Sequence, residues 1–435
     1  MVVCVCYVKV SGQATRTPIS AYGFGDTFND ALIHNQGMGG VGVSNPQYWY
    51  LNNMNPALLT FNRITVFQAG LQLENKRIYS DTLKEKNRGG NLNYLALGFP
   101  LSRDKITGET IWGTSIGLMP YSNVDYSYRN SSIVPNSGGT EVEYFEKSKG
   151  GIDQVYWSHG LKVNRYLSMG LKTSFLFGSI ATNFSNILDN PNQSYKYVIN
   201  VYELLSVRGV RFTPGIHLRI DSLGKNFRRD HRNGKYTLNF GATADFKSKL
   251  STNLEQVLER KDASGNILQS DTTNVNSIKT YLPGNFTVGI SFGRADRWIL
   301  GTDFSMMNPK VGFLGDVNTI ISGLDKTRVT KGWRLAIGAE VTPDIRSLGS
   351  YLKRVTYRTG ISSESGTYLV NGNPVKDFGI NFGFSLPVNR ISSLDLAFRT
   401  GKRGDQKLNG IEENYFKIYF GVTFNDQWFI KRRFD

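Results

Sequence analysis

Only two of the 435 residues are cysteine, Cys4 and Cys6, and both lie in a short apolar opening over residues 2–10. The rest of the chain therefore offers no disulfide framework and no thiolate metal site. Long apolar runs are missing too. A membrane-crossing helix needs about 20 consecutive apolar residues; none follows the opening, so helical spanning is excluded. Histidine is scarce, and His34, His159, His217 and His231 have no metal-like spacing. Acidic residues number 35 against 51 Lys and Arg, a formal charge of +16. Such a balance invites nucleic acid. Here, however, the basic residues fall in turns, loop ends and alternate strand positions, without the aromatic-interleaved stripe of a nucleic-acid groove. Nucleic acid is excluded as a partner, and anionic lipid headgroups and lipopolysaccharide phosphates are the expected counterpart of the charge.

What the chain does have is a period of two. Near the C-terminus Phe416, Ile418, Phe420, Val422 and Phe424 alternate with Tyr415, Lys417, Tyr419, Gly421 and Thr423. Residues 378–386 and 394–399 repeat the pattern. Successive side chains on a strand point to opposite faces, so each segment has one apolar and one polar face. The apolar positions favour Phe and Leu and the polar ones Gly, Ser and Asn, as in a wall with lipid outside and a crowded, hydrated interior. With helices excluded, a closed barrel is the remaining way to satisfy every backbone group in lipid. The fold class is all-β: a transmembrane antiparallel β-barrel of about 14 strands, starting near residues 65, 91, 111, 154, 169, 210, 236, 285, 298, 332, 354, 377, 393 and 415.

Four regions follow. Residues 1–14 read as the remainder of an export signal. Residues 15–62 have little alternation, many Gly and Asn and a short helix predicted around residues 27–34; irregular backbone of this kind cannot face lipid, so it is expected inside the lumen as a hatch or plug. Residues 63–424 form the barrel, and 425–435 a periplasmic tail. An even strand count puts both termini in the periplasm of a Gram-negative cell. Short turns are expected near residues 164–167, 293–296 and 387–391, and long outer loops over 250–277 and 308–331.

The Gly37-Met38-Gly39-Gly40-Val41-Gly42 stretch, the Asn55-Pro56-Ala57 motif just before the first strand, and the strand count together resemble the FadL-type family of outer-membrane transporters for hydrophobic compounds (FadL/TodX-like, with PorV-like relatives). The resemblance places Asn55, Pro56, Ala57, Gly37, Gly39 and Gly40 in a hatch. It also implies a kinked third strand through which an apolar substrate leaves sideways. Gly117, Leu118, Met119 and Pro120 are the matching candidates, since Pro interrupts a ladder. Unlike the family's apolar interior, the inward set here is charged, with Asp303, Arg334, Glu340, Arg354, Arg358, Asp395 and Arg399 as a polar network.

Apolar outer residues Tyr202, Leu204, Leu205, Phe313, Leu314, Ile320 and Ile321 are candidates for ligand capture. Gly289-Ile290-Ser291-Phe292-Gly293 matches the G-x-S-x-G hydrolase pattern but lies on a barrel strand rather than on the strand-to-helix elbow that gives it meaning. No catalytic residue, cofactor or metal is expected. The reading is a non-enzymatic transport protein for passive uptake of small hydrophobic, fatty-acid-like compounds. The alternative is a non-transporting barrel serving as a partner in a type IX-like secretion or other envelope complex.

Overall fold

The computed structural model describes residues 16–81, 83–133, 141–189, 196–221, 236–262, 264–294, 297–308, 330–389 and 391–426. Among these residues seventeen strands make one sheet. The first, β1, is the two-residue Asp26–Thr27; β2 is Thr65–Ser80, β3 Lys84–Arg103, β4 Thr110–Ile133 and β5 Glu141–Lys162. Then come β6 Leu167–Asp189, β7 Lys196–Asp221, β8 Tyr236–Asp245, β9 Ser248–Lys261, β10 Ile267–Leu282 and β11 Gly284–Arg294. The chain continues through β12 Trp298–Asn308, β13 Gly332–Val341, β14 Thr356–Val370, β15 Asn373–Pro387, β16 Ser393–Asp405 and β17 Ile411–Asp426. Two pairs of strands are continuous lines broken once. β8 runs on as β9 past residues 246–247, and β10 runs on as β11 past Pro283, which has no N–H for the ladder. Counted so, the wall is a closed antiparallel barrel of 14 strands, sealed where β17 pairs with β2 from Asp426↔Thr65 to Ile411↔Ser80.

The wall is inverted relative to a soluble protein. On β15, Phe378, Ile380 and Phe382 are 50%, 38% and 49% exposed, while Asp377, Asn381 and Ser385 between them are buried. Leu71, Ile216, Phe304, Ile337 and Phe420 carry the same exposed apolar face around the circumference. A continuous apolar girdle with polar residues inside is the pattern of a transmembrane barrel of the outer-membrane type. Among the described residues no helix is long and apolar enough to cross a membrane.

Several expectations need correction. Residues 250–277 are mostly not a loop: β9 and β10 form a hairpin paired from Ser248↔Leu282 to Lys261↔Ile267. Tyr202, Leu204 and Leu205 likewise lie on β7, hydrogen-bonded to β6 and β9, and not in a loop. β3, β5 and β7 begin 7, 13 and 14 residues before the predicted 91, 154 and 210, because strands that rise above the lipid lose the apolar face that marks them. The connections do not alternate in length as expected either. The β14–β15 turn, on the side opposite the end of β17, is only Asn371-Gly372, both at positive φ, the residues a tight hairpin turn favours. The helix is α1, Ile33–Gly37, rather than 27–34. Residues 1–14, 427–435 and most of the predicted 308–331 loop, with Phe313, Leu314, Ile320 and Ile321, lie outside the described residues.

Candidate functional site

Residues 17–62 run inside the barrel as single turns and extended chain, with α1 and two 3-10 turns, Pro18–Ala21 and Pro56–Phe61, as the only helical pieces. Their close approach to the wall is made possible by glycine. With β8–β9 and β10–β11 each counted as one strand, every wall strand except β16, where Ala397 stands, presents an inward glycine to this segment. Gly160, Gly170 and Gly215 lie against residues 55–59, Gly241 against Val43, and Gly338 and Gly360 against Met38. A methyl group at Gly360 would sit 2.2 Å from the carbonyl carbon of Met38. The glycines form a belt on which backbone rests on backbone.

Polar tethers fix the segment around that belt. Asp303 Oδ2 accepts from the backbone N–H of Gly42 at 2.7 Å and of Val43 at 2.9 Å. Arg334 donates to Gly39 O, and Asn381 to Gln36 O. Gly39 and Gly40 have φ of 73° and 80°, a conformation glycine adopts without strain; with Gly37 against Gly383, this shapes the glycine-rich loop to the wall. Asn55 caps the second 3-10 turn by accepting from Ala57 N and donates to Val43 O and Ile216 O. The Asn-Pro-Ala stretch is thus a local turn and a wall tether at once.

Two carboxylates of the segment gave no signal of their own in the sequence. Asp30 accepts from Lys172 Nζ at 2.6 Å, from Gln154 at 2.9 Å and from Arg211 at 3.4 Å. Asp26 meets Arg403 at 2.8 Å and Lys76 at 4.0 Å. Burial by itself would raise both carboxyls, but the cations outweigh it and hold each near about 2. Their signal, visible in retrospect, is an acid in a nearly uncharged stretch that faces an excess of inward cations.

The proposed polar network divides into separate parts. Glu340, Arg358 and Asp395 are brought together: Arg358 Nε donates to Glu340 at 2.7 Å, while its Nη1 reaches Ser385, which in turn donates to Asp395. Arg399 pairs with Asp377 instead, and Asp303 and Arg334 serve the glycine-rich loop. Arg354 stands apart at the rim, over the Tyr351 ring. Ser291 of the G-x-S-x-G pattern is buried and donates to Ser44 O, another tether.

One seam of the wall is not zipped along its length. β3 pairs with β2 as far as Lys84 and β4 with β5 as far as Ile133, but the β3–β4 ladder stops at Leu95↔Leu118. Gly117 is paired with Ala96 just below that end, and the β4–β5 register shifts between Pro120 and Ser122. From inside the lumen, β1 takes the place of the missing strand: Asp26 and Thr27 pair with Asn123 and Ser122, and Phe28 N donates to Tyr121 O. Beside this strap the inner face is apolar. Phe24 packs with Val124, Tyr126, Ile152, Leu176, Ile180 and Val207. At the other end of the barrel, where β17 ends and β2 begins, a cavity of about 420 Å3 lies beneath residues 46–50.

The BamG family model matches the chain over residues 1–435. The chain belongs to the BamG family. No curated protein matches it. Among solved structures this BamG-family barrel is similar to the toluene transporter TodX of P. putida, at 13% identity and a TM-score of 0.56 over 93% of this chain and 100% of that one. It is also similar to the toluene transporter TbuX of Ralstonia pickettii, at 13% identity and 0.55 over 91% and 98%. A FadL homologue from Pseudomonas aeruginosa gives 11% and 0.56 over 93% and 100%. At such identities the likeness is one of fold. The FadL-type expectation holds at that level, the family itself is BamG, and a PorV-like kinship gains no support.

Proposed function

We propose that this barrel lies in the outer membrane with both chain ends in the periplasm, is closed at rest by residues 16–62 acting as a hatch, and passively admits small hydrophobic compounds. The observation that carries this reading is the unzipped β3–β4 seam beside an apolar inner face. A hydrophobic solute entering from the outer end would displace Phe24, travel along Val124, Ile152 and Leu176, and leave into the bilayer where β1 now bridges β4. Gly117, Leu118, Met119 and Pro120 mark the lower edge of that exit. Similar barrels are named as hydrocarbon channels and toluene transporters, which agrees with the reading. The charged outer rims would meet lipopolysaccharide.

Filling the exit tests it. An added Cβ at Gly117 would lie 2.5 Å from the Tyr156 hydroxyl oxygen, so Gly117→Trp should force bulk into the seam. Uptake of radiolabelled toluene or oleate by cells carrying the variant should fall to the level of cells lacking the protein. Unchanged uptake, with the variant folded and abundant in the membrane, would eliminate the route.

The density of tethers between wall and segment favours a second reading, a permanently shut barrel that acts as a structural partner in an envelope complex. Under it, neither native protein nor Asp30 variants conduct in planar bilayers.

A further inference from the structure

We propose that the cavity at the mouth where β17 ends is a binding site for a compact organic anion, a carboxylate borne on an aromatic or short aliphatic body, whether or not the barrel conducts. Three observations meet there. The first is charge: the titratable lining is Arg219, Arg354 and Arg358 against Glu340 alone, apart from tyrosines. Glu340 is already taken, accepting from Arg358 at 2.7 Å and from Gln47. Among the described residues no carboxylate pairs with Arg354, whose guanidinium sits 5.3 Å over the Tyr351 ring.

The second is an unmet donor. The Arg358 side chain is 1% exposed, and its Nε and Nη1 are bonded to Glu340 and Ser385, but its Nη2 has no hydrogen-bond partner among the described residues. A buried guanidinium nitrogen left unsatisfied is costly, more so than a neutral donor. The nitrogen is covered as the structure stands, so a ligand has to part the side chains over it, among which the Tyr50 ring lies 5.3 Å from the guanidinium; an anionic oxygen placed there would complete the fork, the geometry Arg offers carboxylates. The third is the apolar remainder of the wall, with Tyr351, Ile345, Val388 and Ile391 able to cover a small ring or short chain. About 420 Å3 falls in the range of small-molecule sites. The cavity opens at the mouth, away from the apolar girdle, so its ligand arrives from water, which favours a soluble acid over a bilayer lipid.

The full-length protein in lipid nanodiscs is titrated with 4-fluorophenylacetate and followed by 19F NMR, with 4-fluorophenylacetamide, 4-fluorotoluene and acetate as competitors. Saturable binding is expected, with phenylacetamide competing at least about tenfold more weakly than phenylacetate, as loss of one charge-assisted hydrogen bond implies. Acetate and fluorotoluene should each be weaker still. Arg354→Gln and Tyr351→Ala, both at the rim, should each weaken binding roughly tenfold. Arg358→Met should abolish it; because Arg358 also holds Glu340, that variant is read only if its barrel is heat-modifiable on a gel. Non-saturable uptake of the fluorinated acid, equal affinity for acid and amide, or binding untouched by both rim variants overturns the proposal.

Discussion

Replacing Asp30 with Ala isolates the docking of the inner segment from the stability of the wall. Asp30 is not part of any strand, yet it accepts from Lys172, Gln154 and Arg211. Lys172 and Arg211 are 1% and 7% exposed, so the substitution leaves two buried cations short of an acceptor. Removing one partner of a buried ion pair costs about 3–5 kcal/mol. Lys172 keeps its bond to Asn53 O at 2.9 Å, and Arg211 keeps Asp245 at 3.7 Å, which argues for the lower end of that range. A loss of about 3 kcal/mol raises the undocked population roughly a hundredfold. Hydrogen exchange read by mass spectrometry on peptides from residues 26–54 should speed up by about that factor, while peptides from β13 to β17 stay unchanged. Asp30→Asn, which keeps an acceptor oxygen but no charge, should fall between. Native exchange in residues 26–54 of the Ala variant would refute the role given to Asp30. Acceleration of wall and segment together would refute the idea that the segment docks as a separate unit.

Gly360→Val drives two methyls into the Met38–Gly39 backbone, where no rotamer can relieve the clash; overpacking of this kind costs about 1–3 kcal/mol. Exchange in residues 36–42 should rise accordingly, whereas Gly349→Val, with nothing within 4 Å of its added Cβ, should change nothing. The pH dependence follows from Asp26 and Asp30. Both titrate near about 2 in the folded protein against an ordinary 3.8, so the unfolded state binds protons first on acidification. Their stabilisation, about 2 kcal/mol each at neutral pH, is complete above about pH 4 and is lost as pH falls towards 2. Protease resistance of residues 16–62 should therefore hold at pH 5 and fail between 4 and 2. Loss of protection near pH 6 would mean that other groups control docking.

The barrel was legible because lipid imposes a strict alternation: at residues 378–386 and 415–424 every outward position must be apolar, and the sequence says so. Where that constraint ends, legibility ends. The outer halves of β5, β7, β9 and β10 stand clear of the girdle, so Tyr202 and Leu204 on a paired strand looked like loop residues. Inside the lumen the pattern failed for another reason. Asp26, Asp30 and Phe24 act through partners between 50 and about 380 positions away in the chain, such as Lys76, Lys172 and Arg403, and no local period reports such contacts. The Asn-Pro-Ala and glycine-rich motifs were visible because their work is partly local, in turns and positive φ. Of their wall partners only Asp303 was, as an inward charge; Ile216 and Gly360 were not.

The glycine belt makes a prediction that runs against intuition for a plugged pore. Glycine in a strand interior is worth about 0.5–1 kcal/mol less than alanine to an otherwise free wall, and here nearly every wall strand carries one at the level of the segment. The wall is therefore weakened where the segment covers it, and docking offsets that weakness. Deleting residues 16–62 should not simply open the barrel and raise its conductance; it should also lower the urea midpoint, since the belt then faces water. The sign of a belt substitution should reverse between the two forms. In the full chain Gly360→Ala places a methyl 2.2 Å from Met38 C and destabilises; in the deleted form the same change meets no segment and stabilises by about 0.5–1 kcal/mol. Gly338→Ala, whose methyl would approach Met38 O at 2.3 Å, should behave alike. Urea titrations of the four single variants and two parents, followed by intrinsic fluorescence in detergent, give the comparison. If Gly360→Ala and Gly338→Ala shift the midpoint in the same direction in both backgrounds, the belt is not a seat for the segment, and its glycines answer to strand curvature alone.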